Sequence, residues 1–371
     1  MDDTLRLLAE AAANFAKPDA ARVRALRSLP DGFDRATWRA MVEQGWLSIL
    51  IPEEVGGIGL GIEAACVVAE RLGYAGFREP FAAAGVLAAF CVGAAETAAI
   101  REQMLSRMLD GALIATVAWQ SERGDLSVDA AGVNESVVPS GRVLNGSARF
   151  VPVPSADIFI VLARGTGGLA LYAVTRDARG LSIRSEPLAD GTAQGWLVFD
   201  DVGVSDAQRV AGGEAARDLM HGAIDNTLVG VSAELVGLME RVIDITLEYL
   251  RARKQFGKAI GSFQVLQHRA VDLWIQKELS RAAVRAAVRV LASGATSKEA
   301  RSAAASSAKA RASQAALFVC NAAIQLHGAI GFTDEYELGL YVNRALVLSA
   351  WLGNAAEHRR RYARLELKAH A

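Results

Sequence analysis

The chain has 371 residues, 52% of them apolar, enough for two or three domains with a sizeable core. Lys+Arg 40 against Asp+Glu 41 leaves a formal net charge of -1, with no cationic excess to neutralise a phosphate backbone, which argues against general nucleic-acid binding. Cys66, Cys91 and Cys320 are far apart and odd in number, so neither a disulfide framework nor a metal site is expected.

The opening Met-Asp-Asp-Thr carries no basic or apolar leader. Pro80 to Ala95, read as the longest apolar stretch, is shorter than the ~20 residues of a membrane span. A soluble cytoplasmic protein with no membrane partner is expected. All 8 prolines fall before Leu188, and a proline-free second half permits long uninterrupted helices.

Three compositional zones follow in order, giving expected domains of 1–112, 113–212 and 213–371. The first reads as helical: Leu5, Leu8, Ala12 and Phe15 recur at helical spacing, and periodicity resumes from Ile62 to Leu72. Between them, Ile49 to Gly61 is a glycine-rich loop. The second zone changes to period two. Asn145-Gly146 predicts a two-residue hairpin between strands 142–144 and 148–151. Further short strands are predicted at 158–162, 169–174, 181–184 and 196–199, an antiparallel sandwich or barrel. In the third zone Leu228, Val231, Leu235, Leu238, Val242, Ile245 and Tyr249 form a seam along one long helix. Helices near 263–292, 297–327 and 335–370, the last broken at Gly353, complete a predicted four-helix bundle. The fold class is α+β, mainly α, with a helical domain, a β domain and a bundle.

Two bundle segments carry chemistry. In Tyr249 to Gln264, Arg251, Arg253 and Lys254 crowd a helix end, next to Gln255, Phe256, Phe263 and Gln264. Cations at a helix C-terminus and a glycine stop are ordinary structure. The added amides and rings suit a dinucleotide, with arginine for pyrophosphate and an aromatic for stacking. In Gln325-Leu-His-Gly-Ala-Ile-Gly-Phe-Thr333, two glycines after a helix permit close backbone approach to a ligand, or simply end the helix at Gly328 with His327 a satisfied end residue. His268 and His327 have no ligand cluster to suggest metal, and Glu357-His-Arg-Arg-Arg361 reads as a solvated face or an inter-subunit contact.

Together these motifs resemble the acyl-CoA dehydrogenase family nearly end to end. The carriers are Ile51-Pro-Glu-Glu-Val-Gly-Gly-Ile-Gly, Arg253-Lys-Gln-Phe-Gly with Ile260-Gly-Ser-Phe-Gln, and Gln325-Leu-His-Gly-Ala-Ile-Gly-Phe-Thr. Phe332-Thr-Asp-Glu-Tyr and Trp351-Leu-Gly-Asn-Ala-Ala-Glu-His are most similar to the small-subunit type, such as that of pimeloyl-CoA dehydrogenase. The resemblance implies FAD, an acyl-CoA substrate, an electron-transfer flavoprotein as acceptor, and a homotetramer or a heterotetramer with a related subunit. It implies a flavin ring between the β domain and the bundle, with pyrophosphate and adenosine reaching a neighbouring subunit. Carried over by position, Arg253 pairs with that pyrophosphate. Gln255, Phe256, Ile260, Phe263 and Gln264 line the same arm, and Gln325, Gly328 and Ala329 lie near it. Gln120, Phe150 and Val151 stand where the family meets the flavin ring.

The family's α-proton base is a glutamate at one of two places. One corresponds to Leu352, or to Gly353 if the alignment slips by a residue. The other, twenty-six residues before Arg253, is Thr227. Neither is a carboxylate, so the catalytic residue is unassigned, with Asp225, Asp334 and Glu335 unranked. The flavin-facing half is also altered: Ala118 to Asp125 replaces a hydroxyl-rich motif, and Pro152 stands where a hydroxyl is usual. Three readings follow: a dehydrogenase with a displaced base, a non-catalytic subunit of a heteromeric dehydrogenase, or a flavin oxidase or monooxygenase on the same fold.

Overall fold

The structure, a computed structural model, describes residues 3–139 and 141–369. Helices α1 (Asp3–Phe15), α2 (Ala20–Leu26), α3 (Arg35–Glu43) and α4 (Gly61–Ala75) come first. A π-helical stretch, Phe81–Ala88, runs into α5 (Ala89–Gly93) and is followed by α6 (Ala98–Leu109). Eight strands follow: β1 (Ala115–Ala118), β2 (Val133–Val138), β3 (Gly141–Pro152), β4 (Ile158–Gly165), β5 (Gly168–Thr175), β6 (Leu181–Pro187), β7 (Ala193–Val204) and β8 (Arg209–Gly212). The remainder is α7 (Gly213–Ala252), a small hairpin of β9 (Lys254–Gln255) and β10 (Lys258–Ala259), α8 (Gln264–Ala292), α9 (Lys298–His327), α10 (Leu338–Ala350) and α11 (Ala355–Ala369). The order is the expected one: helical region, β-sheet, helical bundle. Residue 370 of the last expected helix lies outside the described residues.

The chain folds as two compact units, one within Met1–Ala25, Cys66–Phe77 and Leu228–Ala371, the other within Leu26–Ala65 and Arg78–Thr227. In the first, α9 packs against α8, α10 and α11. The α7 helix has 40 residues, about 60 Å at 1.5 Å per residue. Its seam residues Leu228 to Ile245 are buried, and so are Val229, Val236 and Met239 on its other side. Close approach explains the second buried face: a Cβ added at Gly237 would lie 1.7 Å from the Glu70 carbonyl oxygen, and one at Gly73 would lie 2.0 Å from that of Glu234. Only glycine lets two helix backbones meet so tightly.

Two arginines inside this unit are paired with carboxylates. Arg344 donates to Glu234 through Nε (2.9 Å) and Nη2 (2.7 Å), and both residues are buried. Arg281 reaches Glu70 at 2.8 Å and Glu240 at 2.6 Å. The α9 helix with its following turn, Lys298–Phe332, is long and apolar enough by composition to cross a membrane, which the reading of Pro80 to Ala95 as the longest apolar stretch overlooked. Its apolarity has a core explanation, because Ala305, Ala308, Ala312, Ala315 and Val319 are buried against neighbouring helices.

The second unit holds one sheet in the order β6-β7-β3-β2-β4-β5-β8, with β1 beside β4. Pairing is antiparallel except that β4 runs parallel to both β1 and β2. The hairpin predicted at Asn145-Gly146 is not formed. Instead β3 passes straight through it, with a register shift against β7 between Leu144 and Gly146. Asn145 supplies the reason: its side chain donates to the Asp201 carboxylate (2.9 Å) and accepts from the Asp201 N–H (2.9 Å). Gly146, at φ +122°, brings its backbone against Gly132. The dipeptide encodes a bulge between paired strands rather than a chain reversal.

Candidate functional site

At the end of α7, the Arg253 N–H donates to the Tyr249 carbonyl and the Arg253 carbonyl accepts from Ile260, each at 2.8 Å. These bonds close a two-stranded hairpin with Gln255 opposite Lys258. Its tip, Phe256-Gly257, has φ +51° and +77°, the type I′ geometry that suits short hairpins. Glycine takes such an angle freely, whereas a left-handed non-glycine residue costs about 1–2 kcal/mol. Phe256 is nevertheless 91% exposed. Its ring meets Phe263 edge-on at 6.2 Å, and Lys258 Nζ sits 4.3 Å from the Phe263 centroid.

Arg253, Lys254, Gln255 and Gln264 are exposed, while Ile260 and Phe263 are half-buried. Among the described residues, Arg253 and Lys254 have no carboxylate partner. A strained, exposed ring beside unpaired cations fits a flat anionic ligand.

The second segment starts where α9 ends. Gly328, at φ +67°, donates its N–H to the Ile324 carbonyl, and a tight turn continues to Phe332. Gln325, Gly328 and Ala329 are exposed. His327 is buried, with Nδ1 2.8 Å from the Ala323 carbonyl oxygen and its ring stacked on Tyr249 at 4.5 Å. Tyr336 adds a third ring, 5.1 Å from His327. Burial pushes this imidazole below its ordinary pKa. His327 is therefore a buried helix-end residue, bonded through Nδ1 while its Nε2 has no hydrogen-bond partner, and it has a larger consequence. Through Tyr249 it fastens the end of α9 to the end of α7, so both exposed segments belong to one piece.

The flavin-facing candidates lie in the second unit. Gln120 is buried, and its Nε2 donates to the Gly124 carbonyl at 3.0 Å, closing its own loop. The Phe150 ring covers that loop, where a Cβ at Gly124 would lie 3.2 Å from it. Phe150 (φ +56°) and Val153 (φ +54°) are both left-handed, a concentration of strain typical of ligand sites. Val151 is buried in the sheet, and the Pro152 carbonyl accepts from the Thr116 hydroxyl at 2.8 Å. Arg149 lies 4.8 Å from the Trp196 ring and pairs with Glu186 at 2.7 Å. Hydrogen bonds from Gln194 and Arg149 hold the Glu186 carboxyl below the usual range. Buried donors Arg149 Nε and Trp196 Nε1 have no acceptor, so this strip has N–H groups to offer a ligand's acceptor edge.

Neither place for a base carries an acid. Thr227 is buried and donates its hydroxyl to the Ala223 carbonyl at 2.7 Å. Leu352 is 2% exposed at φ +57°, in a turn whose oxygens are engaged from below. His358 Nε2 is 2.8 Å from the Leu352 oxygen, and Lys309 Nζ is 3.1 Å from that of Gly353. Asp225 is buried, while Asp334 and Glu335 are exposed and offer their main-chain oxygens to Arg24, each 2.8 Å from Nη2. Among the described residues, no group of three or more potential ligands is placed to hold a metal ion.

The run Glu357 to Arg361 corrects the expectation of a solvated face. His358 and Arg361, one helical turn apart on α11, are buried, and only the residues between them are exposed. Sequence reading also passed over Lys309, fully buried on α9, whose only signal is a lysine inside an alanine-rich helix.

Residues 2–112 match the model of the acyl-CoA dehydrogenase N-terminal domain, and residues 217–366 match that of the C-terminal domain. Acyl-CoA dehydrogenase FadE27 of Mycobacterium tuberculosis is 30% identical over 346 residues, 92% of this chain and 90% of its own. Among solved structures, the Tcur3481-Tcur3483 steroid ACAD G363A variant is 29% identical, with a TM-score of 0.88 over 99% of each chain. The ChsE4-ChsE5 complex from Mycobacterium tuberculosis is 26% identical, with a TM-score of 0.87 over 99% of this chain and 98% of that one. PigA, solved with FAD and proline, shares the fold at 22% identity, with a TM-score of 0.90 over 100% of this chain and 99% of its own. The chain belongs to the acyl-CoA dehydrogenase family.

Proposed function

We propose that this chain is an FAD-dependent oxidoreductase of acyl-CoA dehydrogenase type, acting on an acyl-CoA thioester and passing its electrons to an electron-transfer flavoprotein. One observation carries the reading: an unpaired arginine, a glutamine and a strained exposed phenylalanine gathered at the hairpin after α7, with a second glutamine opening α8. When bound, FAD supplies a hydride acceptor for the substrate's β-hydrogen. Arg253 holds the pyrophosphate by charge-assisted hydrogen bonds. Gln255, Phe256, Ile260, Phe263 and Gln264 flank it, with Gln325, Gly328 and Ala329 beside them. Around Gln120, Phe150 and Val151, the orphan donors Arg149 Nε and Trp196 Nε1 supply polar contacts to the ring system. The domain limits we assign to these roles are 1–112, 113–212 and 213–371, in a cytoplasmic protein.

Thr227 and Leu352 favour a second reading, in which the α-proton base comes from another chain. In that form the protein is the small-subunit-type member of a heterotetramer, as in pimeloyl-CoA dehydrogenase, and lends its hairpin to a catalytic partner's FAD. The similar ChsE4-ChsE5 assembly is a complex of two proteins, which supports this arrangement. An exposed apolar face on α8, formed by Val271, Trp274 and Leu279, supports association in either form.

The visible spectrum of the chain purified alone separates the two. Flavin absorbance bleached anaerobically by acyl-CoA identifies a self-sufficient dehydrogenase. A colourless protein that gains FAD and activity only with a second chain identifies the heteromeric subunit. A chain that takes up no FAD in either state would refute both.

A further inference from the structure

One side chain on α2, Arg24, grips the main chain of Asp334 and Glu335 from 310 residues away in sequence. Its Nε donates to the Asp334 oxygen at 3.0 Å, and its Nη2 donates to the Asp334 and Glu335 oxygens at 2.8 Å each. Two successive carbonyls suit the planar fork of a guanidinium, whereas a lysine ammonium presents a single point. Arg24 and residues 325–332 belong to the same compact unit, which takes in Met1–Ala25 and Leu228–Ala371.

The base from which Arg24 reaches is firm. The Asp19 carboxylate, just before α2, accepts from the Arg22 N–H at 2.9 Å and caps the helix. Val23 is buried, and the Arg22 guanidinium lies 4.5 Å from the Phe77 ring, which also meets Phe15 at 6.0 Å. Arg24 itself is half-buried.

What it grips is the far end of the turn that carries Gly328 and Ala329. The near end is fastened to α9: Gly331 is buried, and a Cβ there would lie 3.1 Å from the Ile324 oxygen. The Thr333 hydroxyl and N–H both donate to the Ile330 oxygen, at 2.9 and 3.1 Å. Residues 332–335 are exposed, and the chain is fastened again by Tyr336 against His327 and by Glu337, 2.8 Å from Arg241. Arg24 supplies the grip on the exposed stretch between these two anchors. We propose, on the FAD reading above, that Arg24 is a positioning residue for the cofactor. Acting through the main chain of Asp334 and Glu335, it holds the turn of Gly328 and Ala329 in the shape that receives the pyrophosphate arm. A released turn samples other shapes, and apparent affinity falls with the fraction that stays competent.

The test combines flavin fluorescence titration with FAD in the flavin-carrying assembly, amide hydrogen exchange across residues 328–336, and urea unfolding of the full chain. Arg24→Gln is expected to weaken FAD binding about threefold to tenfold and to speed exchange in residues 328–336, with exchange along α7 unchanged. Arg24→Lys, which keeps the charge but not the fork, should fall between wild type and Arg24→Gln. If Arg24→Gln does not fold, Arg24→Lys is read against wild type, with the same faster local exchange and weaker FAD binding expected. A purely structural role predicts lower urea stability with FAD affinity equal to wild type, and that result would overturn the proposal. Faster exchange spread evenly over the bundle would overturn it too. If Arg253→Ala loses FAD affinity and Arg24→Gln does not, the role of Arg24 fails and the FAD reading stands. If neither variant changes FAD affinity, both fail.

Discussion

Phe256→Gly separates the cost of the hairpin tip from its use. The wild-type residue holds φ +51° with a ring 91% exposed, touching Phe263 only edge-on at 6.2 Å. Removing the left-handed strain returns about 1–2 kcal/mol. Glycine's extra freedom in the unfolded chain takes back about 0.5–1 kcal/mol, and losing the edge contact costs about 0.5 kcal/mol more. The net effect on folding lies between about 0.5 kcal/mol of destabilisation and about 1 kcal/mol of stabilisation, a melting temperature within a few degrees of wild type. For FAD the same change removes a stacking surface worth about 1 kcal/mol, so affinity should fall roughly fivefold to tenfold. Calorimetry gives the first quantity and flavin fluorescence titration the second, in whichever assembly carries the flavin. Unchanged FAD affinity would refute the assigned role. A stability loss above about 2 kcal/mol would refute the strain argument.

Three other changes test the framework. Arg344→Met strands the buried Glu234 carboxylate and should cost about 3–5 kcal/mol in urea unfolding; a loss under about 1 kcal/mol would mean that the pair is solvated. Gly146→Ala places a Cβ 2.3 Å from the Gly132 oxygen at φ +122° and should destabilise by about 2 kcal/mol or more, and a melting temperature equal to wild type would contradict the bulge. Burial, with Lys309 and Arg361 close by, pushes His358 down to about 3 from an ordinary 6.5. Below pH 6.5 the unfolded chain binds a proton that the folded one refuses, so stability should fall from pH 6.5 toward pH 3. His358→Gln should flatten that decline, and parallel urea-midpoint profiles for the two proteins would show that the histidine does not cause it.

Long-range periodicity made the bundle legible. The seam from Leu228 to Tyr249 and the absence of proline after Pro187 located α7, and the break at Gly353 separates α10 from α11 as expected. Asn145-Gly146 misled because its local preference for reversal is overridden by a cross-strand partner, Asp201, that no local window contains. The same limit hid the inward faces of His358 and Arg361, since a run of charges reads as solvated until Lys309 and the serines of α9 are packed against it. The exposed candidates fared differently. Arg253, Gln255 and Gln325 drew attention as polar residues close to turn glycines, and the structure shows all three exposed. What the sequence left unseen was the stack of Tyr249, His327 and Tyr336, which makes two distant segments one surface.

The central claim is that Arg253 anchors FAD, and comparing Arg253→Ala with Thr227→Ala tests it most directly. Losing a charge-assisted contact to pyrophosphate should weaken FAD binding by about 2–3 kcal/mol, roughly thirtyfold or more, in the flavin-carrying assembly. Thr227→Ala, which removes a hydroxyl bonded only to its own helix, should leave FAD affinity within about twofold of wild type. Equal FAD affinity in the two variants would contradict the account.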